Sequence, residues 1–249
     1  MSVWIYTDAD NTLWDTDAVF AEAQLALLSA AEKIAGGQAP TAERLQFVRQ
    51  FDQAIAERHH SRLRYPPAFL VRALGEGLRG APVDIAAQRV LTEGSVPTDD
   101  EAEALRTYAS ILSSVPPILE GVRDGLRLAY ESGIPVYVIS EGSADSVRAR
   151  LQALELERFT SGALSASKSR DLYARLKQRA APRRALMIGD QPDRDIQFAH
   201  DAGLLTILVR GRFQPSWTQS IDITCADAVV QNFRDAVDWA VKTASSPAF

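Results

Sequence analysis

The feature that most constrains the fold is an alternation of short apolar segments with amphipathic helices along the second half of the chain. The apolar segments are rich in β-branched residues, which favour buried strands. The predicted strands are 3–7, 135–140, 185–188, 205–209 and 228–230. Strands that alternate with helices form parallel sheets through right-handed crossovers. The sequence therefore predicts an α/β protein with a doubly wound, Rossmann-like parallel sheet.

A long stretch between the first two predicted strands shows only helical spacing of its apolar residues. We therefore expect an all-helical cap domain at residues 17–116, inserted after the first strand. Residues 1–16 and 117–249 are expected to form the α/β catalytic core. With 249 residues and a hydrophobic fraction of 46%, the chain is long and apolar enough for such a core.

Local signals predict where three helices of the cap begin. Asp17 is expected to cap the first helix, and Thr41 to cap the second. The expected buried face of the first helix consists of Phe20, Leu27 and Ile34. Thr98 and Glu101 have the spacing of a capping box, which predicts a helix that begins beside them.

Composition excludes several classes of protein. A net charge of −5 without a basic block is unfavourable for binding a nucleic-acid backbone. The chain has no apolar run of the roughly 18 residues that a membrane helix needs. Its first residues do not resemble a signal peptide, and Cys225 is its only cysteine, so we expect a cytoplasmic protein without disulfides.

Several polar side chains that could take part in catalysis or bind a metal follow the predicted strands or lie in a polar loop between helices. These residues are Asp8, Asp10, Ser140, Lys168, Asp190 and Asp195. The carboxyl ends of parallel strands open on one edge of the sheet, where ligands bind in proteins of this class. The predicted fold can therefore bring these side chains together in one site.

Several carboxylates gathered in a partly buried site repel one another by several kcal/mol, roughly. A hard divalent cation removes this repulsion, and an all-oxygen set of ligands favours Mg²⁺ over zinc. The three histidines of the chain do not have a zinc-binding spacing. Such a site suits phosphoryl transfer, in which one carboxylate acts as nucleophile and a second as general acid and base.

Four segments carry a resemblance to a known family. In chain order they are DADNTLWD, VYVIS, SKS and GDQPDRD. They resemble the four motifs of the haloacid dehalogenase-like (HAD) superfamily. Together with the helical insertion after the first motif, they resemble its phosphatase branch with a helical C1-type cap. Asn11 stands where many members have glycine, although an asparagine is sterically acceptable at such a turn.

The resemblance implies a role for each matching residue. Asp8 matches the nucleophile, whose carboxylate also binds Mg²⁺. Asp10 matches the general acid and base, and its backbone carbonyl matches a metal ligand. Ser140 matches the hydroxyl that binds phosphate, Lys168 matches the cation that screens the nucleophile, and Asp190 matches a metal ligand.

Other assignments implied by the resemblance keep alternatives. Asp195 matches a supporting acid that orients Lys168 or a water on the metal, and we count it among the candidate metal-binding residues. Asp193 is the alternative for the supporting role. No proline follows Lys168, in contrast to many relatives. Arg170 or Arg175 is therefore an alternative for the cation of the third motif.

The expected function is that of a Mg²⁺-dependent phosphatase acting on a small phosphorylated metabolite through an aspartyl-phosphate. A phosphomutase of the same superfamily is the first alternative, because the motifs do not separate the two. A 2-haloacid dehalogenase is the second, although halide displacement has no use for the acid at Asp10. A receiver-type signalling module is the third, but receivers resemble a chain of about half this length. The sequence does not indicate an oligomeric state.

Overall fold

The structure is a computed structural model that describes residues 3–61, 65–93, 96–211, 221 and 223–245. Within these residues, six strands form one parallel sheet. The strands are β1 Val3–Thr7, β2 Val136–Ser140, β3 Gly162–Ser165, β4 Arg184–Gly189, β5 Leu205–Val209 and β6 Ala228–Val230. The predicted α/β class with a parallel, doubly wound sheet is confirmed.

The α-helices of the described residues occur between these strands and after the last of them. They are α1 Thr16–Ala35, α2 Arg44–Arg58, α3 Ala68–Leu78, α4 Val83–Glu93, α5 Asp99–Leu112, α6 Val122–Glu131, α7 Ala144–Ala153, α8 Arg170–Ala180, α9 Phe198–Asp201 and α10 Phe233–Ser245. No helix among them is long and apolar enough to cross a membrane.

The strand order places the ends of β1 and β4 side by side. The order across the described part of the sheet is β3-β2-β1-β4-β5-β6. In the register of β1 with β4, Thr7 lies opposite Ile188. The chain leaves β1 to one side through β2 and returns to the other side through β4. This is the point at which an open α/β sheet binds its ligands.

Alternate residues of the central strands face two separate cores, as expected for a sheet covered on both faces. Ile5 and Leu186 belong to one core, to which α6, α7 and α10 contribute buried residues. Tyr6 and Met187 belong to the other, to which α8 and α9 contribute. Burial on both faces fixes the register of these strands, because a shift by one residue would exchange the two faces.

The chain divides into two compact units. One unit consists of Met1–Asp17 and Val115–Phe249 and contains the whole described sheet. The other is Ala18–Ser114, and its described residues contain helices and no strand. The sequence placed the boundaries at residues 16 and 116.

The helical unit agrees with some local sequence signals and contradicts others. The capping box at Thr98 and Glu101 is confirmed. The predicted buried face of α1 is wrong, because Phe20 and Ile34 are each 41% exposed and only Leu27 is buried. The buried face of α1 instead consists of Val19, Ala23, Gln24, Leu27, Leu28 and Ala31.

Two predicted helix starts also differ from the structure. Asp17 lies in the first turn of α1, which begins at Thr16, and does not precede the helix. Thr41 begins a short 3₁₀ turn, and α2 starts only at Arg44. Local capping preferences placed both ends within a few residues but not at the correct residue, a usual error for helix boundaries.

Candidate active site

Two carboxylates stand at the neighbouring ends of β1 and β4. Asp8 follows the last residue of β1, and its backbone N–H donates to the carbonyl of Ile188 on β4 at 2.9 Å. Asp190 follows β4 directly. The side chains of Asp8 and Asp190 are buried although each follows the end of a strand. The parallel pairing of β1 with β4 therefore places two acids, 182 residues apart in sequence, at one point.

A third acid and one ammonium complete a buried charged cluster. Carboxylate oxygens of Asp8, Asp190 and Asp195 lie within 4.8 Å of one another. Lys168 forms ion pairs with Asp8 and, at 2.6 Å, with Asp195. Three carboxylates and one ammonium leave two negative charges uncompensated when all four groups are ionised. The cluster is short of positive charge by the amount that one divalent cation carries.

The pKa directions reflect this imbalance. Burial raises the pKa of the Asp8 carboxyl, and the charge of Lys168 only partly opposes this. Burial also raises the pKa of Asp190, and the charges of Asp8 and Asp195 add to the effect. For Lys168, burial acts to lower the pKa, but the charges of Asp195 and Asp8 outweigh it and raise the pKa well above its usual value. Lys168 is therefore an ammonium at neutral pH.

The cluster has free oxygen ligands of the kind that Mg²⁺ prefers. Oδ2 of Asp8 and Oδ1 of Asp190 are buried and have no hydrogen-bond partner among the described residues. A buried carboxylate oxygen without a donor is costly unless a cation takes the place of the donor. These two oxygens therefore fit a magnesium ion, in agreement with the charge that the cluster lacks.

Asp195 is held by contacts that use both of its oxygens. Oδ1 forms the ion pair with the Lys168 ammonium, and Oδ2 accepts a hydrogen bond from the backbone N–H of Gln191 at 3.2 Å. The hydroxyl of Tyr173 lies 3.5 Å from Oδ1. Asp195 stands in a π-helical turn, Pro192–Gln197, which brings it against the end of β4. These contacts favour its predicted role in orienting Lys168 over direct binding of the metal, and they do not involve Asp193.

The alternatives for the cation of the third motif can be compared directly. Lys168 is 6% exposed and contacts the nucleophile candidate Asp8. Arg170 and Arg175 are exposed, and Arg170 donates to the carbonyl of Asp201 at 3.3 Å. Of these three residues, only Lys168 lies in the buried cluster.

Ser140 ends β2 at the same edge of the sheet. In the register of β1 with β2, Val138 lies opposite Thr7, so Ser140 reaches the edge at which Asp8 stands. Its side chain is buried, and its Oγ accepts the backbone N–H of Gly142 at 3.0 Å. This bond leaves the hydroxyl proton available for an acceptor such as a phosphoryl oxygen.

Asp10 is set apart from the buried cluster. Its side chain is 41% exposed. Its Oδ1 accepts hydrogen bonds from the indole N–H of Trp14 at 2.9 Å and from the hydroxyl of Thr16 at 2.8 Å. Asn11 is sterically acceptable at this turn, as expected from the sequence. Its φ is 57°, in the left-handed region that asparagine tolerates. An exposed carboxyl held on one oxygen can exchange protons through the other.

The comparisons with known proteins concern the family and the fold. Residues 162–236 match the family model described as HAD-hydrolase-like. This segment, 75 of the 249 residues, is similar to HAD-hydrolase-like proteins. No curated protein matches it.

Similar solved structures share the fold over nearly the whole chain. The HAD-type protein YfnB from Bacillus subtilis, bound to magnesium, is 15% identical with a TM-score of 0.58, covering 96% of this chain and 98% of that one. A predicted phosphoglycolate phosphatase from Haemophilus somnus 129pt is 16% identical with a TM-score of 0.57, covering 95% and 96%. A 2-haloacid dehalogenase from Pseudomonas syringae pv. Tomato is 20% identical with a TM-score of 0.50, covering 99% and 100%. At these identities the likeness concerns the fold alone.

Three residues of this site were not found from the sequence. Glu141 accepts the backbone N–H of Lys168 at 3.2 Å and pairs with Arg194, so it joins the segments that follow β2, β3 and β4. Arg150 reaches Asp10 from α7. Tyr173 reaches Asp195 from α8. Only the position of Glu141 directly after Ser140 gave a signal, because the other two belong to ordinary amphipathic helices.

Proposed function

We propose that this HAD-like protein is a Mg²⁺-dependent phosphatase that hydrolyses a small phosphomonoester through an aspartyl-phosphate. The observation that carries the proposal is the buried cluster of Asp8, Asp190, Asp195 and Lys168. Its free carboxylate oxygens and its deficit of two positive charges support a divalent cation and a phosphoryl group as the natural occupants.

The nucleophile in this proposal is Asp8. One of its carboxylate oxygens attacks phosphorus, an O–P bond forms, and the bond from phosphorus to the leaving oxygen breaks. The ammonium of Lys168 stays beside Asp8 and offsets the negative charge of the phosphoryl oxygens. Asp195 holds this ammonium in place. The hydroxyl of Ser140 donates to a phosphoryl oxygen.

Asp10 transfers the protons. It protonates the leaving oxygen, which departs as an alcohol, and it then removes a proton from the water that attacks the aspartyl-phosphate. Inorganic phosphate leaves and Asp8 is regenerated. Because Oδ1 of Asp10 accepts from Trp14 and Thr16, the proton is carried on Oδ2.

The magnesium would be held by the free oxygens of Asp8 and Asp190 and by the backbone carbonyl of Asp10. When bound, it neutralises negative charge on the phosphoryl group and on the two carboxylates. We further propose that the helical unit Ala18–Ser114 is a cap domain of the C1 type.

The phosphatase is tested by hydrolysis of p-nitrophenyl phosphate with purified protein. We expect hydrolysis with Mg²⁺, its loss in EDTA and its recovery when Mg²⁺ is restored. Asp8→Asn should abolish hydrolysis while circular dichroism stays that of the wild type, because an amide does not attack phosphorus. Asp171→Asn, at an exposed position of the same unit, is the matched control and should retain activity.

The same preparation separates the phosphatase from its alternatives. Retained activity in Asp8→Asn would exclude Asp8 as the nucleophile. Release of chloride from 2-chloropropionate, without hydrolysis of any phosphate ester, would indicate a dehalogenase. Transfer of phosphate between two positions of a sugar phosphate, faster than release of inorganic phosphate, would indicate a phosphomutase.

A further inference from the structure

Arg150 is a cation beside Asp10 that the proposed mechanism does not use. It lies on α7, next to the buried residues Val147 and Leu151. Its Nη1 is 3.4 Å from Oδ1 of Asp10, and its guanidinium carbon is 5.9 Å from the centre of the Trp14 ring. The side chain is 26% exposed, so the guanidinium is partly withdrawn from water but can still be reached.

The contact with Asp10 uses little of what this guanidinium can bind. Oδ1 of Asp10 already accepts two shorter hydrogen bonds, from Trp14 at 2.9 Å and from Thr16 at 2.8 Å. A third donor at 3.4 Å adds little to holding the carboxylate. A guanidinium has five N–H donors, and Asp10 is the only carboxylate of the described residues within ion-pair distance of Arg150.

The position of Arg150 relative to Asp10 decides what it can reach. In the proposed reaction Asp10 protonates the ester oxygen and must approach it to about 3 Å. A cation next to Asp10 therefore lies beside the substituent that the leaving oxygen carries, and away from the transferred phosphoryl group, which is bound at Asp8 and Lys168. A partly buried guanidinium beside a substituent favours an anion, because it can bind a carboxylate or a phosphate through two parallel hydrogen bonds.

We propose that Arg150 binds a second anionic group, a carboxylate or a phosphate, on the leaving group of the substrate. The inference rests on the proposed phosphatase and narrows its substrates to phosphomonoesters with an anion a few bonds from the ester oxygen. Arg150 is then a residue that determines specificity.

The test compares three esters with the same two-carbon backbone. They are 2-phosphoglycolate, ethane-1,2-diol bisphosphate and ethyl phosphate, which carry a carboxylate, a second phosphate and no second anion. The readout is the ratio of kcat/KM for each ester with a second anionic group to kcat/KM for ethyl phosphate. Any effect that Arg150 has on Asp10 changes all three reactions alike and cancels in this ratio.

We expect the wild type to prefer at least one of the anionic esters, and the preferred one identifies the group that Arg150 binds. Arg150→Gln should lower that ratio about 10- to 100-fold, since a hydrogen bond to a charged group contributes roughly 1.5–3 kcal/mol. Arg148→Gln is the matched control, because Arg148 lies on the same helix, is exposed and pairs with Asp145. It should keep the wild-type ratio.

Two results would overturn the inference alone. One is a wild type that hydrolyses p-nitrophenyl phosphate but prefers neither anionic ester. The other is an Arg150→Gln variant that slows all three esters by one common factor, which would make Arg150 a positioning residue for Asp10. Absence of p-nitrophenyl phosphate hydrolysis in the wild type would instead refute the phosphatase itself.

Discussion

Removing one acid from the buried cluster should stabilise the metal-free protein. In Asp190→Asn, one of the two uncompensated negative charges disappears. Oδ1 of Asp190 and Oδ2 of Asp8 are both buried without a donor among the described residues. The new amide N–H₂ group can donate to Asp8, so the substitution replaces a repulsion by a hydrogen bond. Most substitutions of buried residues destabilise a protein, so a gain in stability would be a specific sign of this charge imbalance.

The expected gain follows from the distances in the cluster. Two like charges 4.8 Å apart, the separation within which the carboxylate oxygens lie, repel by about 3 kcal/mol at an effective dielectric constant of 20. Burial raises the pKa of Asp8 to about 7, so partial protonation of this carboxyl at neutral pH relieves part of the repulsion. We therefore expect a gain of about 1–3 kcal/mol, which for a chain of this size corresponds to a rise of about 3–10 °C in Tm.

The assay is thermal unfolding followed by circular dichroism, in EDTA and in millimolar Mg²⁺. The wild type should gain stability from Mg²⁺, by about 2.7 kcal/mol if the ion is present at one hundred times its Kd. Asp190→Asn should have the higher Tm in EDTA and should lose the Mg²⁺-dependent rise. Asp193→Asn, in the same segment but outside the cluster, should behave as the wild type. A lower Tm for Asp190→Asn in EDTA, or an unchanged response to Mg²⁺, would refute the reasoning.

Three further substitutions test other parts of the structure. Gly189→Ala should lower kcat at least about tenfold without unfolding the protein. The Cβ of the new alanine would lie 2.3 Å from Oδ2 of Asp195 and would displace the Asp195 side chain. A wild-type kcat would contradict this. Burial raises the pKa of the Asp52 carboxyl, so the native state binds the proton of this group more tightly than the unfolded state does. The free energy of unfolding therefore falls as the pH rises above about 4. Asp52→Asn should flatten that slope in urea unfolding at several pH values. Thr98→Ala should cost about 1 kcal/mol in the same assay, and an unchanged midpoint would argue against its capping box.

The convergence of Asp8 and Asp190 at one edge of the sheet could be predicted because that edge is set by strong local signals. Apolar, β-branched segments indicated β1, β2 and β4, and an acid or a hydroxyl stands at or directly after the end of each. Parallel pairing then brings these ends to one edge whatever the sequence distance between them. Only the type of each strand and its last residue had to be correct for Asp8 and Asp190 to be placed side by side.

Elements at the periphery were harder to predict because their signals are weak. β3 has the sequence GALS, is four residues long and is mostly exposed at the edge of the sheet. It therefore lacks both the apolar run of a buried strand and a clear alternation, and the sequence indicated only a polar stretch there. Its pairing with β2 nevertheless positions the segment that carries Lys168.

The supporting contacts of the site could not be predicted, because they depend on packing and not on local pattern. After β4 the chain forms a π-helical turn, Pro192–Gln197, followed by the single turn α9. The hydrogen bonds of a π-helical turn span five residues instead of four, and in this turn Asp195 lies against Gly189 and Lys168. No propensity distinguishes such a turn from an α-helix in one sequence.

The same reasoning explains why the sequence indicates the type of reaction but not the substrate. The groups that act on phosphorus stand at strand ends, so their convergence follows from fold class alone. Arg150 stands in the second turn of α7 and meets Asp10 only because that helix packs its buried face on the sheet. Its spacing from Val147 and Leu151 is that of any residue on an amphipathic helix. The type of reaction can therefore be predicted from the order of the motifs. The selection of a leaving group depends on helix packing, so its prediction requires the three-dimensional structure.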